Sequence, residues 1–182
     1  IIFDCCGVLK VEKIELKIGL KNFLLKALDN KYKIVMVTNQ TAVSKGLTSY
    51  SKMKKVNDIL ISKINDLVGQ VVFSDVFICP YHPMAQIKRF RTDSYFRKPK
   101  PGMLIKARNQ LNVDLKKSIL VGDRVSDIVA GNLAGCSTVL LSGNKHSDEM
   151  IKTNLKFTKK DMMPDYKVDR LDDIINIMDL LS

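Results

Sequence analysis

Short, continuously apolar runs alternate along this chain with longer stretches in which apolar residues recur at helical spacing. Three of the apolar runs are Lys33–Val37, Ser118–Val121 and Thr138–Leu141. Apolar strands separated by helices are typical of a parallel sheet that helices cover on both faces. The pattern predicts a Rossmann-like, doubly wound α/β fold with a mainly parallel sheet. We expect residues 1–182 to form a single domain of this kind.

The same two periodicities place the remaining elements. Further strands are predicted at Ile1–Phe3, Asp75–Cys79 and Tyr166–Val168. Helices are predicted at Gly19–Asp29, Tyr50–Leu67, Pro101–Leu111, Asp127–Ala134 and His146–Thr153, and from Leu171 onward.

Charge and cysteine content limit the classes of protein to consider. The chain carries 30 Lys and Arg against 19 Asp and Glu, a formal net charge of +11. This charge suits either a solvated basic surface or a surface that attracts a polyanionic ligand, and charge alone does not separate the two. A continuous apolar run of about 18 residues is missing, so no membrane span is expected. Four cysteines, two of them adjacent, favour a reducing, cytoplasmic setting over a disulfide framework.

Reactive or polar residues follow three of the predicted strands. These segments are Asp4-Cys5-Cys6-Gly7, Thr38-Asn39-Gln40 and Gly122-Asp123-Arg124, with Arg97-Lys98-Pro99 just before a predicted helix. Each segment alone is equally typical of a turn or a helix cap. Ligands of doubly wound sheets, however, bind beyond the carboxyl ends of the strands, where these segments converge. Their joint arrangement therefore favours one phosphate-type site.

The residue types at these strand ends suit transfer of a phosphoryl group to a carboxylate. Asp4 can act as the nucleophile. Asp123 can share a magnesium ion with it, and Asp127, one helical turn further on, can support that ion. The Thr38 hydroxyl and the backbone N–H groups that follow can bind phosphate oxygens. Lys98 can supply a positive charge to the phosphoryl group, and Arg97 can bind a second anionic group.

Five segments resemble motifs of the haloacid-dehalogenase-like phosphatases: FDCCGVL, VTNQTAVSKGLT, CPYHP, FRKPKPGML and VGDRVSDI. Over nearly its whole length the chain is most similar to the heptose 1,7-bisphosphate phosphatases and the histidinol-phosphate phosphatase domains. The resemblance implies a magnesium-dependent hydrolase of lipopolysaccharide precursor biosynthesis that has no separate cap domain. It implies that Asp4 forms an aspartyl-phosphate and that Asp123 binds magnesium. Substrate contacts are implied for Thr38, Asn39, Gln40, Thr41, Arg97, Lys98 and Arg124.

The first motif departs from the family pattern, DxDG, because Cys6 stands where the family has its second Asp. In the family, the side chain at this position is the catalytic acid and base, and its backbone carbonyl binds magnesium. A thiol with a pKa near 8.5 replaces a carboxylate poorly at pH 7. Loss of a positioned acid or base costs about 10²–10⁴-fold in rate. We therefore expect Cys6 to keep the metal role and to impair turnover.

A second departure concerns the zinc loop that many heptose bisphosphate phosphatases carry. Cys79 is kept, whereas Tyr81, Ser94 and Phe96 stand at the other three ligand positions. One thiolate, with His82 one place out of register, does not make a tetrahedral site. Zinc is therefore not expected, and Cys79 is predicted to be a buried strand-end residue.

Three functions remain open at this stage. The leading prediction is hydrolysis of a small phosphorylated substrate, most simply a sugar bisphosphate, by a monomer or weak oligomer. The second is a polynucleotide 3′-phosphatase, because Phe90, Tyr95 and Phe96 interleave with basic residues, although a nucleic-acid partner is not expected. The third is a phosphate-ligand-binding protein that has lost its acid.

Overall fold

The computed structural model describes residues 2–3, 14–142 and 157–181. The strands in these ranges are β1 (Ile2–Phe3), β2 (Ile34–Asn39), β3 (Phe73–Cys79), β4 (Ile119–Gly122), β5 (Ser137–Leu141) and β6 (Tyr166–Val168). They form one sheet in the order β3-β2-β1-β4-β5-β6, and every pair of neighbours is parallel. The predicted Rossmann-like, parallel α/β fold is therefore confirmed.

The helices connect and cover these strands. In chain order they are α1 (Leu20–Asp29), α2 (Thr41–Ser44), α3 (Tyr50–Val68), α4 (Gly102–Leu111), α5 (Val125–Ala134), α6 (Lys159–Met162) and α7 (Asp173–Leu180). Polar caps fix two of the starts: Ser49 accepts a backbone N–H from the first turn of α3, and Thr158 and Asp161 form a reciprocal capping box at α6. Gly69 and Gly135, both at positive φ, end α3 and α5.

Most predicted elements lie where the sequence pattern placed them, with shifts at their ends. Strand β2 continues to Asn39 instead of ending at Val37, and β3 begins at Phe73 rather than Asp75. Helices α2 and α6 were not predicted, because four residues are too few to show a helical period. The helix predicted at 146–153 lies outside the described residues.

Alternate residues of β2 pack on opposite faces of the sheet, as strand geometry requires. Ile34 and Met36 belong to one buried cluster with side chains of α1, α3 and α7. Val35 and Val37 belong to a second cluster with side chains of α4 and α5. The sheet is thus covered on both sides, which explains the unbroken apolar run from Ile34 to Val37 in β2.

Strand β1 lies where the direction of the strand order changes. Phe3 is paired with Met36 of β2 on one side and with Val121 of β4 on the other. Connections leave this point toward β3 in one direction and toward β6 in the other. In open α/β sheets, the crevice at such a switch point, beyond the carboxyl ends of the strands, is where ligands bind. Within the described ranges, no helix is long and apolar enough to cross a membrane.

Candidate active site

The predicted site residues that the structure describes lie around the carboxyl ends of β2 and β4. Thr38 and Asn39 end β2, Gln40 follows, and Thr41 begins α2. Asp123 comes directly after β4, and Asp127 lies in the first turn of α5. Arg124 lies between them, and Arg97 and Lys98 lie in the loop before α4. Asp4 and Cys6 lie outside the described residues.

A buried ion pair joins two of these segments. The Lys98 Nζ lies 2.7 Å from Asp127 Oδ1, and the two side chains are 2% and 0% exposed. The same ammonium donates a hydrogen bond of 3.0 Å to the backbone carbonyl of Val37. Because a buried charge is stable only when it is paired and hydrogen-bonded, these contacts fix Lys98 beside the end of β2.

Asp127 has contacts on both carboxylate oxygens. Its Oδ2 accepts a 3.1 Å hydrogen bond from the backbone N–H of Arg124, which caps the start of α5. The side chain lies so close above Gly122 that a Cβ there would collide with it. Asp127 therefore positions Lys98 and the first turn of α5. Its predicted support of a magnesium ion stays a prediction.

Asn39 holds the backbone of residue 98. Its Oδ1 accepts a hydrogen bond of 3.1 Å from the Lys98 N–H, and its Nδ2 donates one of 2.9 Å to the Lys98 carbonyl. The peptide bond between Lys98 and Pro99 is cis. The sequence predicted substrate contact for Asn39. In the structure its amide positions the loop that carries Lys98.

Gln40 is buried beneath the strand ends. It is 1% exposed, and its backbone N–H donates to the carbonyl of Cys79 at 2.9 Å. Its Nε2 lies 3.4 Å from Thr38 Oγ1 and 3.5 Å from Asn57 Oδ1. Sequence reasoning missed Asn57. The available signal was a polar residue on the apolar face of α3, which is also formed by Val56 and Leu60.

Arg97 and Arg124 lie at the rim, further from the protein interior. Arg97 is half-buried, and its Nη1 donates a 3.0 Å hydrogen bond to the carbonyl of Tyr81. Burial lowers the pKa of Arg97, Cys79 acts in the opposite direction, and the nearby Arg124 lowers it further. The Arg124 side chain is 45% exposed, with its Nε 4.0 Å from Asp123 Oδ1. Two guanidinium groups at one rim can receive an anion in bidentate fashion.

The donor chemistry fits magnesium through Asp123. Its carboxylate lies directly after β4, and carboxylate oxygens are the ligands that magnesium prefers. In the part of the chain that the structure describes, no three His, Cys, Asp or Glu residues lie close enough together to hold a metal. That Asp4 and the carbonyl of Cys6 supply further ligands stays a prediction, because both residues lie outside the described ranges.

The residues at the positions of the family's zinc ligands make other contacts. Cys79 ends β3 and is 1% exposed, which confirms the predicted strand-end position. Burial raises its pKa, and the Tyr81 backbone, Arg97 and a hydrogen bond with Ser94 offset part of that rise. The Phe96 ring lies 6.0 Å from Lys106 Nζ, and the Tyr81 ring lies 6.0 Å from that of Phe90. The absence of zinc stays a prediction.

Comparison with known proteins finds relatives among the phosphatases. The HAD-hydrolase-like family model matches residues 95–174. A D-glycero-alpha-D-manno-heptose-1,7-bisphosphate 7-phosphatase of Photorhabdus laumondii is 34% identical over 146 residues, which are 78% of this chain and 76% of that protein. A beta-anomer 7-phosphatase of Vibrio cholerae is 34% identical over 110 residues, 60% of this chain and 58% of the relative.

A solved structure extends the likeness to the fold. The D,D-heptose 1,7-bisphosphate phosphatase of B. bronchiseptica, complexed with magnesium and phosphate, is 20% identical and has a TM-score of 0.77. The match covers 100% of this chain and 98% of that one. This likeness shows the fold. The Photorhabdus laumondii match shows that the chain belongs to the haloacid-dehalogenase-like hydrolases, in the phosphatase family of the heptose 1,7-bisphosphate 7-phosphatases.

Proposed function

We propose that this chain is a magnesium-dependent phosphomonoesterase that acts on a sugar bisphosphate, such as a heptose 1,7-bisphosphate, with Asp4 as its nucleophile. The observation that carries the proposal is the buried pair of Lys98 and Asp127 at the switch point of the sheet. Strand β1, which Asp4 follows in the sequence, lies between the two strands that end at this pair. A fixed cation at that point offsets the charge of a transferring phosphoryl group.

The reaction divides into two displacements. In the first, a carboxylate oxygen of Asp4 forms a bond to phosphorus while the bond to the ester oxygen breaks, and that oxygen takes up a proton. In the second, water attacks the aspartyl-phosphate and releases inorganic phosphate. Lys98 and Thr38 would bind the phosphoryl oxygens throughout. A magnesium ion held by Asp123, Asp4 and the Cys6 carbonyl would supply further positive charge.

Cys6 makes the proton transfers slow in this proposal. The family uses a carboxyl group here to protonate the leaving oxygen and later to activate water. A thiol stays largely protonated at pH 7 and cannot alternate between the two roles as a carboxyl group does. We therefore expect phosphate binding to be retained and turnover to be reduced.

The rim favours a substrate with a second anionic group. Arg97 and Arg124 lie outside the inner pair and would face the part of the substrate that does not react. The relatives named above act on heptose 1,7-bisphosphates of either anomer. A sugar bisphosphate is therefore the proposed substrate class. We propose that the chain acts on it in the cytoplasm, as a monomer or weak oligomer.

A second candidate function is binding without turnover, which the replacement at Cys6 favours. A third, hydrolysis of a nucleic-acid 3′-phosphate, is favoured by the exposed rings of Tyr95 and Phe96, 54% and 44% accessible beside Arg97. The three functions differ in the substrate that is hydrolysed, or in whether any is hydrolysed, so one phosphate-release assay separates them.

The test is release of inorganic phosphate, with magnesium or with EDTA, from heptose 1,7-bisphosphates, histidinol phosphate and a 3′-phosphorylated oligonucleotide. We expect magnesium-dependent release from a bisphosphate that Asp4→Asn abolishes and the control Asp29→Asn, at an exposed position, leaves unchanged. Turnover of the oligonucleotide alone would support the nucleic-acid function. Magnesium-dependent binding of the bisphosphate with no release would support the binding function.

A further inference from the structure

A small buried cluster fixes a loop of residues 80–91 against α2. The cluster consists of Val43, Met53, Ala85 and Phe90. The backbone N–H groups of Gln86 and Ile87 both donate to the carbonyl of Ser44, at 3.0 and 3.2 Å. Lys45, the residue after Ser44, is therefore held beside this loop, and its side chain is exposed.

His82 has a defined orientation in the same loop. Its backbone N–H donates to the carbonyl of Phe90 at 3.0 Å, and its Nδ1 accepts the N–H of Met84 at 3.0 Å. In a neutral imidazole whose Nδ1 accepts a hydrogen bond, the proton resides on Nε2. His82 therefore offers an N–H donor from Nε2, on a ring that is half-buried.

Arg97 joins this group through its hydrogen bond to the carbonyl of Tyr81, the neighbour of His82 in the chain. The electrostatics agree with the geometry. Burial lowers the pKa of His82, and the positive charges of Arg97 and Lys45 lower it further. The three side chains therefore share one electrostatic environment.

In the described part of the chain, no carboxylate forms an ion pair with Lys45, His82 or Arg97. Among the described residues, the ion pairs involve Lys26, Lys98, Lys100, Arg124 and Arg170. Asp93, which attracts Arg97, is itself paired with Lys100 at 2.7 Å. The positive charges of Lys45 and Arg97 repel one another, and an anionic ligand relieves that repulsion. His82 adds a neutral N–H donor to the same group.

We infer that Lys45 and His82, together with Arg97, form a second anion site that binds the non-reacting phosphate of a bisphosphate substrate. The inference rests on the proposed function and extends it to two residues with no role in the chemical step. Arg97 and Lys98 are consecutive in the chain, one at the rim and one in the buried pair. One loop thus places a cation at each of two phosphate positions.

The test compares heptose 1,7-bisphosphate with heptose 7-phosphate, which lacks the phosphate assigned to the rim. Binding is measured by titration calorimetry with magnesium in the Asp4→Asn chain, where the ligand is not consumed. In that background we expect Lys45→Gln with His82→Gln to raise the Kd of the bisphosphate about tenfold and to leave the Kd of the monophosphate unchanged. Lys63→Gln, at an exposed position of α3, is the control.

Each alternative outcome has a distinct meaning. If the double variant binds both ligands as the Asp4→Asn chain does, or weakens both equally, the second anion site is wrong while the proposed function stands. If the Asp4→Asn chain binds neither ligand, and the unsubstituted chain neither binds nor hydrolyses them, the proposed function fails and this inference fails with it. Unfolding midpoints of the variants, expected to match that of the Asp4→Asn chain, show that the effect is local.

Discussion

The inner site and the second anion site hold their nitrogen-bearing side chains in opposite ways. Lys98 is almost inaccessible and is bound by a carboxylate and a backbone carbonyl. Lys45, His82 and Arg97 lie at a surface where, among the described residues, no carboxylate forms an ion pair with them. The inner cation is fixed before any ligand arrives. Lys45 and Arg97, with the Nε2–H of the neutral His82, remain available to an anionic ligand.

The difference assigns separate tasks to the two regions. A buried ion pair contributes little net stability, but removing one partner leaves a buried charge and is costly. Exposed cations contribute little to folding and can be changed with small effects on stability. We therefore expect changes at the inner site to affect rate and stability, and changes at the rim to affect affinity for bisphosphates.

The largest effect is expected from Cys6→Asp, which restores a carboxyl group to the inner site. Turnover of a sugar bisphosphate should rise by about 10²–10⁴-fold, because a positioned acid and base is regained. Steady-state phosphate release measures it. Cys5→Asp is the matched control and should give no gain. An equal gain from both variants, or none from Cys6→Asp, would contradict the role given to position 6.

The second effect concerns stability. Lys98→Met should lower the free energy of unfolding by about 3–5 kcal/mol, because Asp127 would be left buried without its partner. Urea unfolding measures this loss, and adding Asp127→Leu to Lys98→Met should recover part of it. At the rim, Arg97→Met should change the same quantity by less than about 1 kcal/mol. Similar losses at the two positions would remove the distinction between them.

The third effect is a pH dependence of stability that comes from burial, without an ion pair. It concerns a residue outside both regions. Cys136, the residue before β5, is buried, and burial raises the pKa of its thiol from 9.0 to about 12. The folded chain therefore keeps this proton while the unfolded chain releases it. The contribution of the buried, protonated thiol to the free energy of unfolding is complete below pH 9. It is lost as the pH rises toward 12, by about 1.4 kcal/mol per pH unit. The difference in unfolding free energy between the unsubstituted chain and Cys136→Ala should shrink over that range, and a constant difference would contradict the prediction.

The smallest effect belongs to the rim. Arg97→Lys keeps the charge but loses the planar fork, so the Kd of a bisphosphate should rise about threefold to tenfold with little change in kcat. Arg108→Lys, on the exposed side of α4, is the control and should match the unsubstituted chain. A fall in kcat as large as the rise in Kd would place Arg97 in the chemical step instead.

The sheet could be predicted from the sequence because burial on both faces leaves a local pattern. The runs that became β2 and β4 are apolar at successive positions, which only a covered parallel strand requires. The short helix α2 left no such pattern. It is held by tertiary contacts, among them the two N–H groups that Gln86 and Ile87 donate to Ser44.

The sequence predicted which residues form the site, but not which of them contact each other. Lys98 and Asp127 were each given a separate role, toward phosphate and toward magnesium. Their ion pair depends on how the loop before α4 packs against β2, which no spacing along the chain encodes. The same holds for Asn39, whose amide holds the backbone of residue 98. Partners that lie far apart in sequence became visible only in the folded chain.

We propose that Asp4 receives the phosphoryl group and that Cys6 slows its release. Mass spectrometry after acid quench tests this directly, with the chain incubated with magnesium and a heptose 1,7-bisphosphate. We expect a phosphoryl group on Asp4 of the unsubstituted chain, and a lower occupancy in Cys6→Asp, because hydrolysis of the intermediate is faster there. Phosphate release with no modification of Asp4 in either chain, together with full activity of Asp4→Asn, would contradict the account.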